Sequence, residues 1–348
     1  MVRIGNVDGD SSQILNHVMS AREDRRGNLY VIQRGVPYVA VFDGSGARIA
    51  TLGRAGGGPG EFGAPTGVSF ASDSVWVTDA ALGKFSLFSP TFDHVRDVIL
   101  SYAFPAIATK GRPFGRIAIA EGFFIETTSA DSIRWWYGTD RGDVTQLPAA
   151  AATPSQRSDF QVQNRVMSLI QPFPQYPLLF NYGDAFVRVD RDRPDGVGIT
   201  FLSKDASVIR SLTIPLGKYN VSDQSVAAEV ERLSEPIKKA MPSLKRGTIR
   251  DAFRKAIQVP EKSFFLSAFS ADEDQSGWLR QDPPGEPRSI WSRVDLNSGK
   301  VLAQLTIEKE RNILILGNGY AWVLETDKDD VPFISKYRVA GRHDPQGR

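Results

Sequence analysis

Short apolar runs, each bounded by Gly, Asp, Asn or Pro, recur along most of this chain. Runs of that length and punctuation predict many short antiparallel strands. The stretch "GNLYVIQ" (27–33) alternates Leu29 and Val31 before polar Gln33. It leads into "YVAVFDGSGARIATLG", where Asp43-Gly44 and Ser45-Gly46 read as a hairpin turn. Residues 67–90 repeat the theme as strand, turn, strand, turn, strand, with turns at 72–74 and 80–83.

The runs also resemble one another. An aromatic-Val pair followed by a polar turn and a strand ending near Phe occurs at Tyr30-Val31 with Phe42 and at Trp76-Val77 with Phe88. Later copies carry Gly277-Trp278-Leu279, with a hairpin at 297–299, and Trp322-Val323. The period is roughly 40–50 residues, which suits four-stranded propeller blades. The expectation is one all-β domain over 1–348, a six-bladed β-propeller of four-stranded antiparallel blades near 17–52, 65–102, 114–147, 176–216, 263–307 and 312–340. The last blade lacks an outer strand, and 2–7 is a spare one at the N-terminus. Pairing the two would close the last blade and remove exposed sheet edges.

One segment breaks the strand pattern. Residues 222–257, between blades four and five, are rich in Ala, Glu, Lys and Leu, and Val226, Val230 and Leu233 form a helical stripe. Pro236 and Pro242 predict short helices, with Thr248 and Asp251 as a capping box for the second. A weaker helical insertion is expected at 156–169.

The stretch "LYVIQRGVPYVAVFDGSGARIATLGRAGGGPGEFGAPTGV" resembles the bacterial six-bladed propellers of the NHL-repeat and TolB-like type, in its strand, turn, "vFd-x-x-G" and "GPGEF-x-x-P" connector. "DSVWVTDAALGKFSLFSP" follows as the next repeat, with Lys84 where such repeats usually carry Arg. The resemblance is strong over 30–90 and 263–339 and weak between. It implies a propeller exported to the periplasm or beyond, as a lipoprotein or secreted protein. Most members have no assigned activity. The N-terminus has no apolar core of a signal peptide, so the export signal is expected to be absent from this chain.

Composition excludes several chemistries. With no cysteine, disulfides, zinc-thiolate sites, iron–sulfur clusters and cysteine nucleophiles are ruled out. A net charge of +2 does not suggest a nucleic-acid surface. No apolar run approaches the roughly 18 residues of a transmembrane helix. The three histidines, His17, His94 and His343, sit in no catalytic or metal-ligating motif, and no GxSxG occurs.

The glycine-rich stretch 53–62 invites a phosphate-loop reading, but Gly60 is followed by Glu61-Phe62, not by Lys-Ser/Thr, and a strand follows where a helix would be needed. The structural alternative is a connector between blades one and two, with glycine at positive φ, Arg54 paired to Glu61, and Phe62 filling a gap between blades. The functional alternative puts Arg54 and Glu61 at the mouth of a central channel. "RWWYGTD" places Arg134, Trp135 and Trp136 in a row, so one Trp packs between blades and the other is free to stack on a ligand. Asp79, Glu126 and Asp184 are the carboxylates that could converge on a channel. Asp272 and Asp274 begin like a calcium loop, but Pro283 stands at the twelfth position, and a hairpin turn is expected there, as at 326–330. No cofactor and no metal site is named by the sequence. The leading expectation is a non-enzymatic module binding a small ligand or a protein at the channel mouth or a propeller face. The alternative is a hydrolase or lyase for a carbohydrate or peptide-like substrate, with or without a metal.

Overall fold

A computed structural model describes residues 2–339 apart from 6–13, 72, 80, 100–111, 120–121, 129–131, 140–143, 147–152, 155–156, 163, 174–176, 183–184, 192, 204–206, 272–274, 284–285 and 318. The fold is an all-β propeller of four-stranded antiparallel blades, with two helices among the described residues. The four-strand form occurs in five sheets. Blade one runs Val18–Glu23, Leu29–Gln33, Val39–Phe42, Arg48–Leu52, and blade two Pro65–Ala71, Ser74–Asp79, Lys84–Phe88, His94–Ile99. Two more span Leu178–Ile214 and Leu266–Glu308. The last joins Asn312–Leu316, Tyr320–Thr326 and Pro332–Arg338 to the N-terminal strand Val2–Ile4, which pairs antiparallel as Val2↔Lys336 and Ile4↔Ile334.

The expected third blade departs from the four-strand form. Arg112–Ile119, Gly122–Thr128, Ser132–Thr139 and Val144–Gln146 are joined by a fifth strand, Thr153–Pro154, which pairs at Ser132 and Ile133. The fourth strand is only three residues long, and the returning chain adds to the third. Among the described residues, therefore, five blades have the four-stranded form, not the six expected.

By contact density the chain divides into two compact units, Met1–Glu126 with Trp136–Thr145 and Glu310–Arg348, and Thr127–Trp135 with Gln146–Lys309. In the first, the leading strands of successive blades lie side by side: Asn312–Leu316 beside Val18–Glu23, and Val18–Glu23 beside Pro65–Ala71. One core fills the space between blades one and two, from Tyr30, Ile32, Val39, Val41 and Leu52 to Val68, Val75, Val77 and Phe88. A second joins blade one to the last blade through Ile4, Leu29, Val31, Trp322 and Ile334.

In the second unit, helices α1 (Asp223–Ala240) and α2 (Arg246–Ala256) lie in the chain between Val208–Ile214, the last strand of one blade, and Leu266–Ala271, the first of the next. Ser222 caps α1 by accepting the Ser225 N–H. Two expectations fail here. α1 continues through Pro236, because the carbonyl that loses its donor belongs to exposed Arg232, where water can replace it. Thr248 is not a cap: α2 already begins at Arg246, and its Lys245 cap makes no side-chain hydrogen bond. The helical expectation for 156–169 is also overturned. Arg157–Val162 and Arg165–Ile170 form a hairpin. Phe160 and Val162, and Met167 and Leu169, lie two apart, so period-two alternation puts all four against the helices, with Phe160 on Phe253 at 4.9 Å.

Where the last blade meets blade one, Lys336 Nζ donates to Glu23 Oε1 at 2.8 Å and lies over the Tyr320 and Trp322 rings. The Glu23 side chain is only 7% exposed. Removing the ammonium would strand a buried carboxylate, so Lys336→Met is expected to cost about 3 kcal/mol, read as a lower urea midpoint at unchanged m-value.

Candidate functional site

The glycine-rich connector folds back on itself. Arg54–Ala55 pairs in parallel with Glu61–Phe62, and Gly56 N–H donates to the Phe62 carbonyl at 3.2 Å. Glu61 closes the loop from within. Its Oε2 accepts the Gly58 N–H at 2.8 Å, and its Oε1 accepts Arg54 Nε at 3.0 Å. These bonds, that from Gly58 foremost, hold the Glu61 carboxyl below its ordinary range. Arg54 and Glu61 thus face each other. Phe62 is fully buried in the core between blades one and two. Gly53 has φ +77°, and a Cβ there would sit 2.2 Å from the Phe62 ring, so both backbone and packing demand glycine.

Beneath the loop lies a polar cluster on blade two. Lys84, 2% exposed, donates to the Gly58 carbonyl at 2.9 Å and to Asp97 Oδ2 at 3.1 Å. Asp97 also accepts the Gly60 N–H at 3.2 Å, and its Oδ1 lies 2.9 Å from His94 Nε2. Burial alone would raise the Asp97 carboxyl, but the hydrogen bonds it shares with His94, Lys84 and Gly60 outweigh it and hold it below its ordinary value. The lysine noted in place of the usual arginine is therefore the cation that fastens the connector to its blade.

Asp79 is fully buried at the end of the second strand. Its Oδ2 accepts the N–H groups of Gly63 and Ala64 at 2.7 and 3.0 Å, and its Oδ1 those of Ala81 and Leu82 at 2.9 and 3.0 Å. Four backbone donors fill this carboxylate, and it fixes the connector just before the leading strand. The same place is polar in other blades. Gln33 Oε1 accepts the Asn16 N–H at 2.6 Å, and Gln281 Nε2 donates to the Phe264 and Gly217 carbonyls at 3.0 and 3.1 Å. In the last blade Glu325 accepts the Tyr337 hydroxyl instead. The sequence carries a signal for this. Tyr30, Trp76, Trp278 and Trp322 are each followed three residues later by Gln33, Asp79, Gln281 and Glu325.

The remaining candidates do not assemble with these. Trp136 is buried, as are Trp76, Trp278, Trp291 and Trp322, although Trp291 belongs to a third strand and not to the repeated second-strand position. The side chains of Glu126, Arg134 and Trp135 lie outside the described residues, as do Asp184, Asp272 and Asp274. Asp327 accepts the N–H groups of Asp329 and Val331 and closes a turn. Among the described residues no group of three or more His, Asp or Glu side chains is placed to hold a metal, and no helix is long and apolar enough to cross a membrane.

No family model and no curated protein matches the chain. Solved structures do resemble it. A member of the DUF4221 family from Bacteroides vulgatus is 10% identical, with 97% of each chain covered and a TM-score of 0.52. A candidate exported protein from Bacteroides fragilis is also 10% identical, covering 97% of this chain and 94% of its own, with a TM-score of 0.50. At that identity the likeness establishes the fold alone. Virginiamycin B lyase from Staphylococcus aureus, at 13% identity, 93% and 95% coverage and a TM-score of 0.42, carries no argument about chemistry.

Two outcomes follow from the connector. Asp79→Ala leaves four backbone donors without their acceptor and is expected to lower stability by on the order of 3 kcal/mol in chemical denaturation. Asp97 has a depressed folded pKa, so its contribution is complete above its unfolded value near 3.8 and is lost as pH falls through the lower folded value. Acid titration of wild type and Asp97→Asn is expected to show an extra stability loss below about pH 4 in the wild type alone.

Proposed function

We propose that this chain is a single six-bladed propeller of the NHL and TolB-like type, with 112–154 as its third blade, that is exported and binds a small ligand or a protein without transforming it. The observation that carries the binding reading is the state of the charged side chains at the connector. Asp79 is filled by four backbone N–H groups, Glu61 by Gly58 and Arg54, and Asp97 by Lys84, His94 and Gly60. A general acid or base needs a carboxylate within reach of substrate. These carboxylates are committed to holding the backbone, so ligand recognition falls to other surfaces of the blades. The resemblance in the connector motifs supports the family and the export, and the likeness to a candidate exported protein agrees with it.

The purified chain is expected to show ligand-dependent rises in Tm across a panel of sugars and peptides with no product formed in any of them. Turnover that Asp79→Asn or Glu61→Gln abolishes, in a variant whose circular dichroism is unchanged, would overturn the reading.

A further inference from the structure

One leading strand departs from the repeat. Arg22 lies opposite Tyr30 in blade one. The matching leading-strand positions, opposite the repeated aromatic of the second strand, hold Ser69 beside Trp76, Ser270 beside Trp278 and Ile315 beside Trp322. Small or apolar side chains suit that place, and only blade one of these four carries a charge there.

Among the described residues Arg22 has no counter-ion. Its neighbours Ala21 and Glu23 both turn toward the last blade, Ala21 into the core with Ile4 and Trp322 and Glu23 onto Lys336. Alternation sends Arg22 to the other face. The next carboxylate, Asp24, is taken up by the N–H groups of Arg26 and Asn28, by Asn28 Nδ2 and by the Tyr30 hydroxyl. The Arg22 guanidinium makes no hydrogen bond or ion pair among the described residues and stays open to solvent. The protein around it nonetheless strips part of its hydration and lowers its pKa from the ordinary arginine value, without discharging it. An uncompensated, partly desolvated cation gains most from a bound anion, and guanidinium matches carboxylate and phosphate in bidentate geometry.

We propose that Arg22 is an anion-binding residue on the leading strand of blade one, taking the carboxylate or phosphate group of a small ligand. This deepens the binding reading above and rests on it.

The test is calorimetric titration of the full chain with inorganic phosphate and, separately, citrate, at constant ionic strength. Wild type is expected to bind at least one of them, and Arg22→Gln at least tenfold more weakly, with its anion-free Tm unchanged. Arg25→Gln is expected to bind as wild type does. Preference for phosphate identifies a phosphorylated ligand, and preference for citrate a carboxylated one. Equal anion affinity in wild type and Arg22→Gln, or no binding of either anion by wild type, overturns the proposal. If either of those results is accompanied by a neutral ligand that raises the Tm of wild type and Arg22→Gln alike, the binding function stands and this site alone is removed.

Discussion

The four N–H groups gathered by Asp79 are the contact on which blade two and its connector depend. A propeller blade places its leading strand among neighbours, so the chain must enter a crowded place with its backbone donors satisfied before the ladder can take them over. Asp79 does this for Gly63 and Ala64 at the entry and, with its other oxygen, for the turn at Ala81 and Leu82 that begins the third strand. One side chain thus fixes two backbone segments against one strand end. Gln33 and Gln281 occupy the corresponding strand ends and also hold the residues ahead of a leading strand. The amide can both donate and accept, which lets it serve connectors that offer either an N–H or a carbonyl.

The glycine-rich loop extends the same logic outward. Glu61 binds the loop to itself, Lys84 and Asp97 bind it to the blade, and Phe62 anchors it in the apolar core. Glycine at positions 53 and 60 permits positive φ and leaves room for Phe62 and His94. Charge and glycine, the two features that suggest a phosphate-binding loop, are here the means of making a tight crossing between two sheets. A carboxylate that bonds its own loop's amide has filled the place an anion would take.

Much of the strand order was legible because strands of five or six residues bounded by Gly, Asp and Asn leave a local imprint. Asp43 accepts from Ser45 and Ala47 in the turn expected there, and Val2–Ile4 pairs with the last blade as an unpaired edge demands. The helical reading of 156–169 failed because its apolar residues fit two periods over so short a stretch, and packing against α2 selected the period of two. Pro236 misled because a missing donor matters only where the freed carbonyl is buried. Asp79 and Lys84 were visible as residues, but their roles required knowing which backbone groups arrive beside them.

By itself the sequence determined the architecture of repeated four-stranded blades, since period-two alternation, turn chemistry and a recurring aromatic are properties of neighbouring residues. It also determined that no cysteine chemistry is available. Tertiary structure alone decided which charges are spent and which remain. Asp79, Glu61 and Arg22 look equivalent in a string of letters. Hydrogen bonds to partners several to many residues away, Gly63, Gly58 and Arg54 among them, satisfy the first two, while strand alternation sends the third to the face away from Glu23 and its Lys336 partner. Whether a charge is structural or free depends on what folding brings within about 3 Å of it, and that is a property of the fold and not of the residue.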